Sequence, residues 1–599
     1  MKENAIPQRL AALREEMKKN NISAMIIPTD DAHMSEYVAD YWKCREWISG
    51  FTGSAGKVVV TLNWSGLWSD SRYFIQAPEQ LEGSTMRFYK EMLAETPSIE
   101  QEIIKDLKPG DKVAIDGSLF SVNVANNYKK YFAKHGIELV NDFRPFDIIW
   151  KDRPSIPSDQ AFVFPEEFSG ESADSKCNRI LQEIDKYDCN ATIISTLDDI
   201  AWTMNIRGTD VAYNPVVTSY LYVSGSERVL FVEPEKITTE VMDYLKQNNI
   251  IVSPYSNVLS YLKKLNNDVK ILIDPARVNS LIDLSVNEGV EKVYEASPVP
   301  LMKSLKNETE IEGFRKAMIE DGIALVKFYR WLEENIDNGS VNEISVSDKL
   351  VELREAQEGC IGPSFGTICG FHAHAAMCHY SATEESNATV TNQGILLIDS
   401  GGQYFGGTTD ITRTTALGTP TAEEKRCFTL VLKGHIGLSK AVFPEGTRGD
   451  QIDILARKAL WENGLNYLHG TGHGTGHCLN VHEGPQSIRT QHNPVTIQLG
   501  MVNTNEPGLY LTGKFGIRHE NQMLVVEDKS LNGEFGRFFK FEPLTLCHFD
   551  TNGIDISLMT KEEIDWLNDY HKMVYDKLES RLSEEEKAWL KNKTQPLNY

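Results

Sequence analysis

Long apolar runs are what this chain most plainly lacks. No stretch of about eighteen apolar residues occurs, the length at which a helix begins to span a bilayer, so a membrane is not an expected partner. The opening MKENAIPQRLAALREEMKKN has no apolar signal core and reads as an amphipathic helix. Cysteine is sparse: nine residues, an odd number, with no CxxC pair. That pattern argues against a disulfide framework and for the reduced thiols of a cytoplasmic protein. Cys378 and Cys478 fall near the candidate chemistry described below, but both read as small buried fillers. Basic charge is also in deficit. The 61 Lys and Arg against 85 Asp and Glu leave a net charge of -24, which argues against nucleic acid or an anionic membrane as the main partner.

What is present points to several globular domains. The 599 residues exceed one ordinary core, and 41 % hydrophobic with 24 % charged residues is a typical globular balance. Residues 1–155 read as an α/β domain, with ISAMIIP (22–28) and KVVVTL (57–62) as buried strands and SIEQEIIKDL (98–107) as a helix capped by Ser98. Pro154, Pro157 and Pro165 punctuate a linker. Residues 156–302 repeat the style. ATIISTLDDIAW (191–202) echoes AMIIPTDDAH (24–33): an apolar strand, a turn with paired aspartates, then a helix start. The echo suggests two copies of one α/β unit, with Asp30, Asp31, Asp198 and Asp199 as turn and capping residues. Residues 303–599 begin with a helix capped by Asn307 and carry most of the histidine; eleven of the fourteen lie between His372 and His548. The charged stretch 560–593 reads as surface helices.

The histidines concentrate in HGTGHGTGHCLNVHEGP (469–485). Four-residue spacing would align His469, His473 and His477 on one helix face, but four interleaved glycines cost a helix about 4 kcal/mol. A glycine-permissive strand or loop is the better reading. Two further stretches carry carboxylates on strand pairs. ILLIDSGGQYFGGTTDITRTTALG (395–418) ends one strand at Asp399 and starts another after Asp410. In MVNTNEPGLYLTGKFGIRHENQMLVVE (501–527), Glu506 follows one β-prone run and Glu520 opens another. Clustered buried carboxylates need cations or protons. Four carboxylates with one imidazole suit two divalent ions, Mn²⁺, Co²⁺ or Zn²⁺, and a metal pair can generate a hydroxide nucleophile at neutral pH.

Asp399, Asp410, His473 in HGTGHG, Glu506 in NEPG and Glu520 in IRHEN resemble the ligand set of the pita-bread metallopeptidases. GFTGSAG (50–56), WSDSRYFIQA (68–77) and LDDIAWTMNIRGTDVAYNP (197–215) extend the resemblance over the whole chain, to the aminopeptidase P family in its long, three-domain cytosolic form. The resemblance implies an α/β and α+β multidomain protein: two creatinase-N-like α/β domains (1–155 and 156–302), then a pita-bread metallopeptidase domain with a C-terminal helical extension (303–599). It implies two divalent metals, most in keeping with Mn²⁺, and release of the first residue from peptides with N-terminal Xaa-Pro. It makes Asp399, Asp410, His473, Glu506 and Glu520 metal ligands, and Glu506 also the general base. His379 and His482 face the scissile carbonyl; His469, Arg518 and Tyr510 line the substrate side. A homodimer is the family expectation. Leu509 departs from the aromatic residue the pattern leads one to expect there, which bears on pocket shape. His372, His374, His477 and His519 read as packed or supporting histidines. A prolidase, specific for Xaa-Pro dipeptides, is the nearest alternative, and Arg518 is its candidate carboxylate clamp. A metal-free peptide-binding relative would lack ligands, whereas all five are present.

Overall fold

The computed structural model describes residues 5–598, so the first four residues of the expected N-terminal helix lie outside the described residues. The remainder of that helix runs Ile6–Lys19 and buries Ile6, Leu10, Leu13 and Met17 along one face. The chain forms two compact units, residues 1–166 with 171–299, and residues 167–170 with 300–599.

The first unit holds two six-stranded sheets. One is built from β1 (Ala24–Ile27), β2 (Lys57–Thr61), β3 (Ser65–Ser69), β4 (Arg87–Lys90), β5 (Lys112–Ala114) and β6 (Glu138–Val140), in the order β4-β3-β2-β1-β5-β6. The other comprises β7 (Ala191–Ile194), β8 (Ser219–Ser224), β9 (Arg228–Val232), β10 (Ile250–Ser253), β11 (Lys270–Ile273) and β12 (Glu291–Tyr294), in the order β10-β9-β8-β7-β11-β12. Pairing directions match strand for strand: two antiparallel contacts, then parallel ones toward both edges. The short sequence echo therefore marks two copies of one topology.

The copies differ where the echo predicts a helix after each strand. In the second, Leu197–Met204 is helical, with Asp198 and Asp199 in its first turn. In the first, no helix starts at the paired aspartates Asp30 and Asp31; the next α-helix after β1 is Cys44–Ser49. Asp31 instead closes a turn, accepting from the backbone N–H of His33 at 2.8 Å and of Ser35 at 3.0 Å. The reason is the seam between the copies. The turn buries His33, whose Nδ1 lies 2.7 Å from the Ser195 carbonyl and whose Nε2 lies 3.0 Å from the Tyr255 hydroxyl.

The motifs of the first unit act as folding devices. In GFTGSAG, Gly50 takes the left-handed φ of +74° that ends the Cys44–Ser49 helix. Buried Arg45 donates to the carbonyls of Phe51 and Gly53. Ser98 caps its helix with a reciprocal bond from Gln101, although that helix stops at Ile103 rather than near Leu107. In RGTDVAYNP, Asp210 accepts from Thr218 N–H at 2.5 Å and pairs with the fully buried Lys236.

The second unit has the long helix Glu308–Asn335, capped by Asn307 as predicted, with Glu310 completing the cap reciprocally. Its strands are β13 (Ile368–Phe371), β14 (Gly394–Ser400), β15 (Ile411–Leu417), β16 (Val442–Pro444), β17 (Gly472–Gly474), β18 (Glu483–Ile488), β19 (Val502–Asn505), β20 (Gly508–Leu511), β21 (Phe515–Arg518), β22 (Asn521–Glu527) and β23 (Phe538–Pro543), with a small three-stranded sheet beside them. They form the sheets β13-β14-β15 and β16-β23-β22-β19-β17-β18 and the hairpin β20-β21. Helices Ala422–Ser439 and Lys561–Leu578 cover the core with Phe428, Val431, Leu432, Ile564, Leu567 and Val574. The charged C-terminal stretch is therefore only half a surface: one face of Lys561–Leu578 is buried, including His571.

Lys236→Met removes the only ion-pair partner of buried Asp210 among the described residues. Stranding a buried charge in this way costs about 3–5 kcal/mol. The thermal midpoint should fall by several degrees, and Asp210→Asn added to Lys236→Met should recover part of the loss. An unchanged midpoint in the single variant would mean that the buried pair does not support the unit.

Candidate active site

The site is made where two strand pairs of the second unit meet. In the first pair β14 runs antiparallel to β15, setting Asp399 opposite Thr412, with Asp410 immediately before β15. In the second, β19 runs antiparallel to β22 with Asn505 opposite Asn521, so that Glu506 and Glu520 flank one point of the ladder. The backbones are tied together: Glu520 N–H donates to the Thr412 carbonyl at 3.0 Å, and Asp410 N–H to Gln522 Oε1 at 2.9 Å. The histidine loop enters beside them. It is not helical; Gly472–Gly474 is a short strand and the rest is irregular. A Cβ on Gly472 would stand 2.0 Å from the Thr504 carbonyl, and one on Gly474 would stand 2.4 Å from the Glu483 carbonyl. The glycines let β17 press against its neighbours and bring His473 to the carboxylates.

Ligand atoms of Asp410, His473 and Glu520 lie within 4.8 Å of one another. His473 Nδ1 donates to the Gly474 carbonyl at 2.8 Å, which leaves Nε2 as the ring atom that faces the carboxylates. That Nε2 faces Asp410 Oδ2 at 3.4 Å and Glu506 Oε1 at 3.7 Å. Facing carboxylate oxygens on both sides, that atom needs a positive charge between it and them, a proton or a metal ion. Asp399 borders the cluster. Its Oδ2 accepts from Arg518 Nη2 at 2.5 Å, while its buried Oδ1 has no hydrogen-bond partner. Glu520 is 1 % exposed, and its Oε2 accepts from Thr412 Oγ1 at 2.8 Å.

The electrostatics agree. Burial, then repulsion from Asp410, Asp399 and Glu506, drives the Glu520 carboxyl well above its ordinary range. Burial pushes Glu506 up to about 7, against the opposing pull of His473 and Arg518. Burial also raises Asp399, although Arg518 pulls it down. Oxygen-rich donors, one imidazole, an orphaned carboxylate oxygen and crowded negative charge fit a pair of divalent cations.

Of the residues expected on the substrate side, His469, Tyr510 and Arg518 contact one another. The Tyr510 hydroxyl accepts from Arg518 Nη1 at 2.6 Å and lies 2.9 Å from His469 Nε2. His469 Nδ1 stands 4.0 Å from Glu506. The His482 ring packs edge-on against that of His473, centroids 4.3 Å apart. His379 is half-buried and follows Cys378, whose carbonyl lies 3.4 Å from Arg518 Nη2. Leu509 faces the hydrophobic core, so the departure at that position changes core packing rather than the site wall. Cys478 is buried, whereas Cys378 is half-buried at the rim.

The remaining histidines do other work. His477 packs on Phe314 and His519 on Phe428 and Phe549, and burial holds His519 far below its ordinary pKa. His374 meets Glu343 at 2.8 Å, while His372 is exposed. Sequence reasoning passed over Thr412, which bridges Glu520 and Arg518, and Gln522, which links Asp410 to the Thr408 carbonyl. It also passed over Asp453, which accepts from both Thr471 and Arg457 and so fixes the start of the histidine loop. For Thr412 and Gln522 the available signal was a polar residue within a buried strand that ought to be apolar there.

Fold and site together define a metallopeptidase of the pita-bread class. Residues 312–527 match the model of metallopeptidase family M24, and 537–597 that of the C-terminal region of peptidase M24. Residues 9–144 and 152–310 match creatinase/prolidase N-terminal domains. Aminopeptidase P2 of Arabidopsis thaliana is 40 % identical, the alignment covering 99 % of this chain and 89 % of the relative. Xaa-Pro aminopeptidase 1 of Dictyostelium discoideum is 39 % identical over 99 % and 97 %. The X-prolyl aminopeptidase of Caenorhabditis elegans, a cytosolic enzyme with a di-nuclear active site, superposes with a TM-score of 0.94 at 33 % identity, over 99 % of this chain and 100 % of its own. The chain belongs to the Xaa-Pro aminopeptidase, or aminopeptidase P, family. An Xaa-Pro dipeptidase from Bacillus anthracis shares the fold over 63 % of this chain, with TM-score 0.51 and 21 % identity.

Carboxyls held above their ordinary range bind protons in the native state that the unfolded chain releases. Stability of the metal-free protein should therefore fall as pH rises from about 4.5 through 7, by up to about 1.4 kcal/mol per pH unit for each such group. Thermal midpoints of chelator-treated protein at pH 5.5 and 8 measure this. Mn²⁺ should restore more at pH 8, and Glu506→Gln should flatten the slope. Equal Mn²⁺ stabilisation at both pH values would contradict the crowded-carboxylate account.

Proposed function

We infer that this protein is a metal-dependent aminopeptidase that releases the N-terminal residue from peptides with proline second. The observation that carries the reading is the convergence of Asp410, His473 and Glu520, bordered by Asp399 and Glu506, in a chain whose relatives along its full length are Xaa-Pro aminopeptidases. Asp399, Asp410, His473, Glu506 and Glu520 would hold two divalent ions, Mn²⁺ being most in keeping with the oxygen-rich set and Co²⁺ or Zn²⁺ also compatible. When bound, the ions supply an activated water and positive charge opposite the developing oxyanion.

The chain's own residues account for the rest. Glu506 accepts the proton of the attacking water and delivers it to the proline nitrogen, which as a tertiary amide needs a proton to depart. His379 and His482 donate to the scissile carbonyl as charge builds on its oxygen. His469, Tyr510 and Arg518 form the wall met by the proline ring. An Xaa-Pro bond offers no N–H to an extended-strand binding mode, so ring shape and the free amine must be read instead. The carboxylate-rich floor attracts that amine.

The prolidase alternative needs a free cation for the substrate's carboxylate. Arg518 is 3 % exposed and already donates to Asp399, Tyr510 and Thr412, which favours the aminopeptidase reading. The metal-free binding-protein alternative predicts missing ligands, whereas all five are in place. We place the division of labour at 1–155, 156–302 and 303–599, with chemistry confined to the last. The cytosolic Caenorhabditis elegans relative supports a cytoplasmic protein, a homodimer is the family expectation, and a charge of -24 argues against a nucleic-acid partner. No helix among the described residues is long and apolar enough to cross a membrane.

The test is a paired assay of the chelated and Mn²⁺-restored protein on an Xaa-Pro-Pro tripeptide and the matching Xaa-Pro dipeptide. Metal-dependent release of only the first residue from the tripeptide is expected; cleavage of the dipeptide alone would make the protein a prolidase. His473→Ala and Glu506→Gln should each lower kcat by at least about 10³. A near-native rate in Glu506→Gln with its full metal content would remove Glu506 as the base.

A further inference from the structure

Arg413 is buried at 2 % exposure, and no carboxylate among the described residues forms an ion pair with it. All of its donor capacity goes to backbone and neutral groups. Nη1 donates to the Glu520 carbonyl at 2.6 Å and the Thr412 carbonyl at 3.0 Å. Nη2 donates to Asn521 Oδ1 at 2.8 Å, the Cys547 carbonyl at 2.8 Å and the Tyr570 hydroxyl at 3.1 Å. Nε donates to the His548 carbonyl at 3.0 Å, and the guanidinium lies 3.9 Å over the Phe549 ring. The Tyr570 hydroxyl stands 2.8 Å from the Thr545 carbonyl.

The partners fall into two groups. One is the metal-bearing strand junction, Thr412, Glu520 and Asn521. The other is the C-terminal region, the 545–549 segment and the helix Lys561–Leu578. One planar fork spans both. A buried guanidinium without a counter-ion is costly to maintain, so its retention points to a geometric task. Its Nη1 holds the main chain of Glu520, and Thr412 Oγ1 holds the Glu520 side chain at 2.8 Å.

We propose that Arg413 is a positioning residue through which the C-terminal extension sets the orientation of Glu520 for metal binding. The inference rests on the reading of Glu520 as a ligand. Outer partners of metal ligands typically contribute about 10–100-fold in affinity. Lysine at this position keeps the charge but loses the fork.

The experiment titrates the chelated full-length protein with Mn²⁺ alone and reads affinity by competition with a chelator, alongside the thermal midpoint of each metal-free variant. Arg413→Lys should weaken Mn²⁺ binding about 10–100-fold. Tyr570→Phe, which keeps the ring and removes one partner of the fork, should shift affinity the same way by more than twofold. Glu520→Gln should abolish one Mn²⁺ equivalent. Mn²⁺ affinity within twofold of the parent in both Arg413→Lys and Tyr570→Phe, with only the midpoint lowered, overturns the proposal and leaves Arg413 a core residue. If Arg413→Lys does not fold, Tyr570→Phe decides alone by the same twofold criterion. Native stoichiometry in Glu520→Gln would instead overturn the ligand reading itself.

Discussion

Carboxylates forced together away from water repel, and the second unit is organised around holding Asp399, Asp410, Glu506 and Glu520 against that repulsion. Consecutive positions of one strand could not gather them, because neighbouring side chains point to opposite faces. Two antiparallel pairs solve the problem by bringing the end of one strand beside the start of its partner, once at β14 and β15 and once at β19 and β22. Backbone bonds from Glu520 to Thr412 and from Asp410 to Gln522 then join the pairs. Charge is balanced from one side by Arg518 on Asp399 and, in the proposed holoenzyme, from the centre by the metals. The stabilising contribution of each cation and the reactivity of the site have the same origin.

The glycine-histidine loop is the complementary device. Close packing of β17 on β18 and β19 leaves no room for side chains at Gly472 and Gly474, so His473 is the residue there that can reach inward. His469 and His482 meet the rim, while His477 turns into the core against Phe314. Four histidines of similar appearance in sequence thus divide among a position facing the carboxylates, the rim of the cluster and packing.

Much of this could be read before any coordinates. The strands ending at Asp399 and before Glu506 show as apolar or β-prone runs, and the Asn307 and Ser98 caps show as polar residues ahead of helical periodicity. The twin sheets announce themselves only in a ten-residue echo, because topology is conserved by hydrophobic pattern rather than by identity. The echo misled after β1, where the seam around His33 overrides the local preference for a helix. The supporting polar residues Thr412, Gln522 and Arg413 escaped notice because their partners lie about 100 or more residues away in sequence. Local propensity carries no information about such partners. For the same reason the charged 560–593 stretch gave no sign that Tyr570 and His571 face a core.

The central claim is that five residues from two strand pairs and one glycine loop hold two metal ions. It is tested most directly by diffraction from Mn²⁺-soaked crystals at the manganese absorption edge. The account predicts two anomalous peaks per chain, each within ligand distance of residues among Asp399, Asp410, His473, Glu506 and Glu520. A single peak, or peaks bound elsewhere, would contradict it.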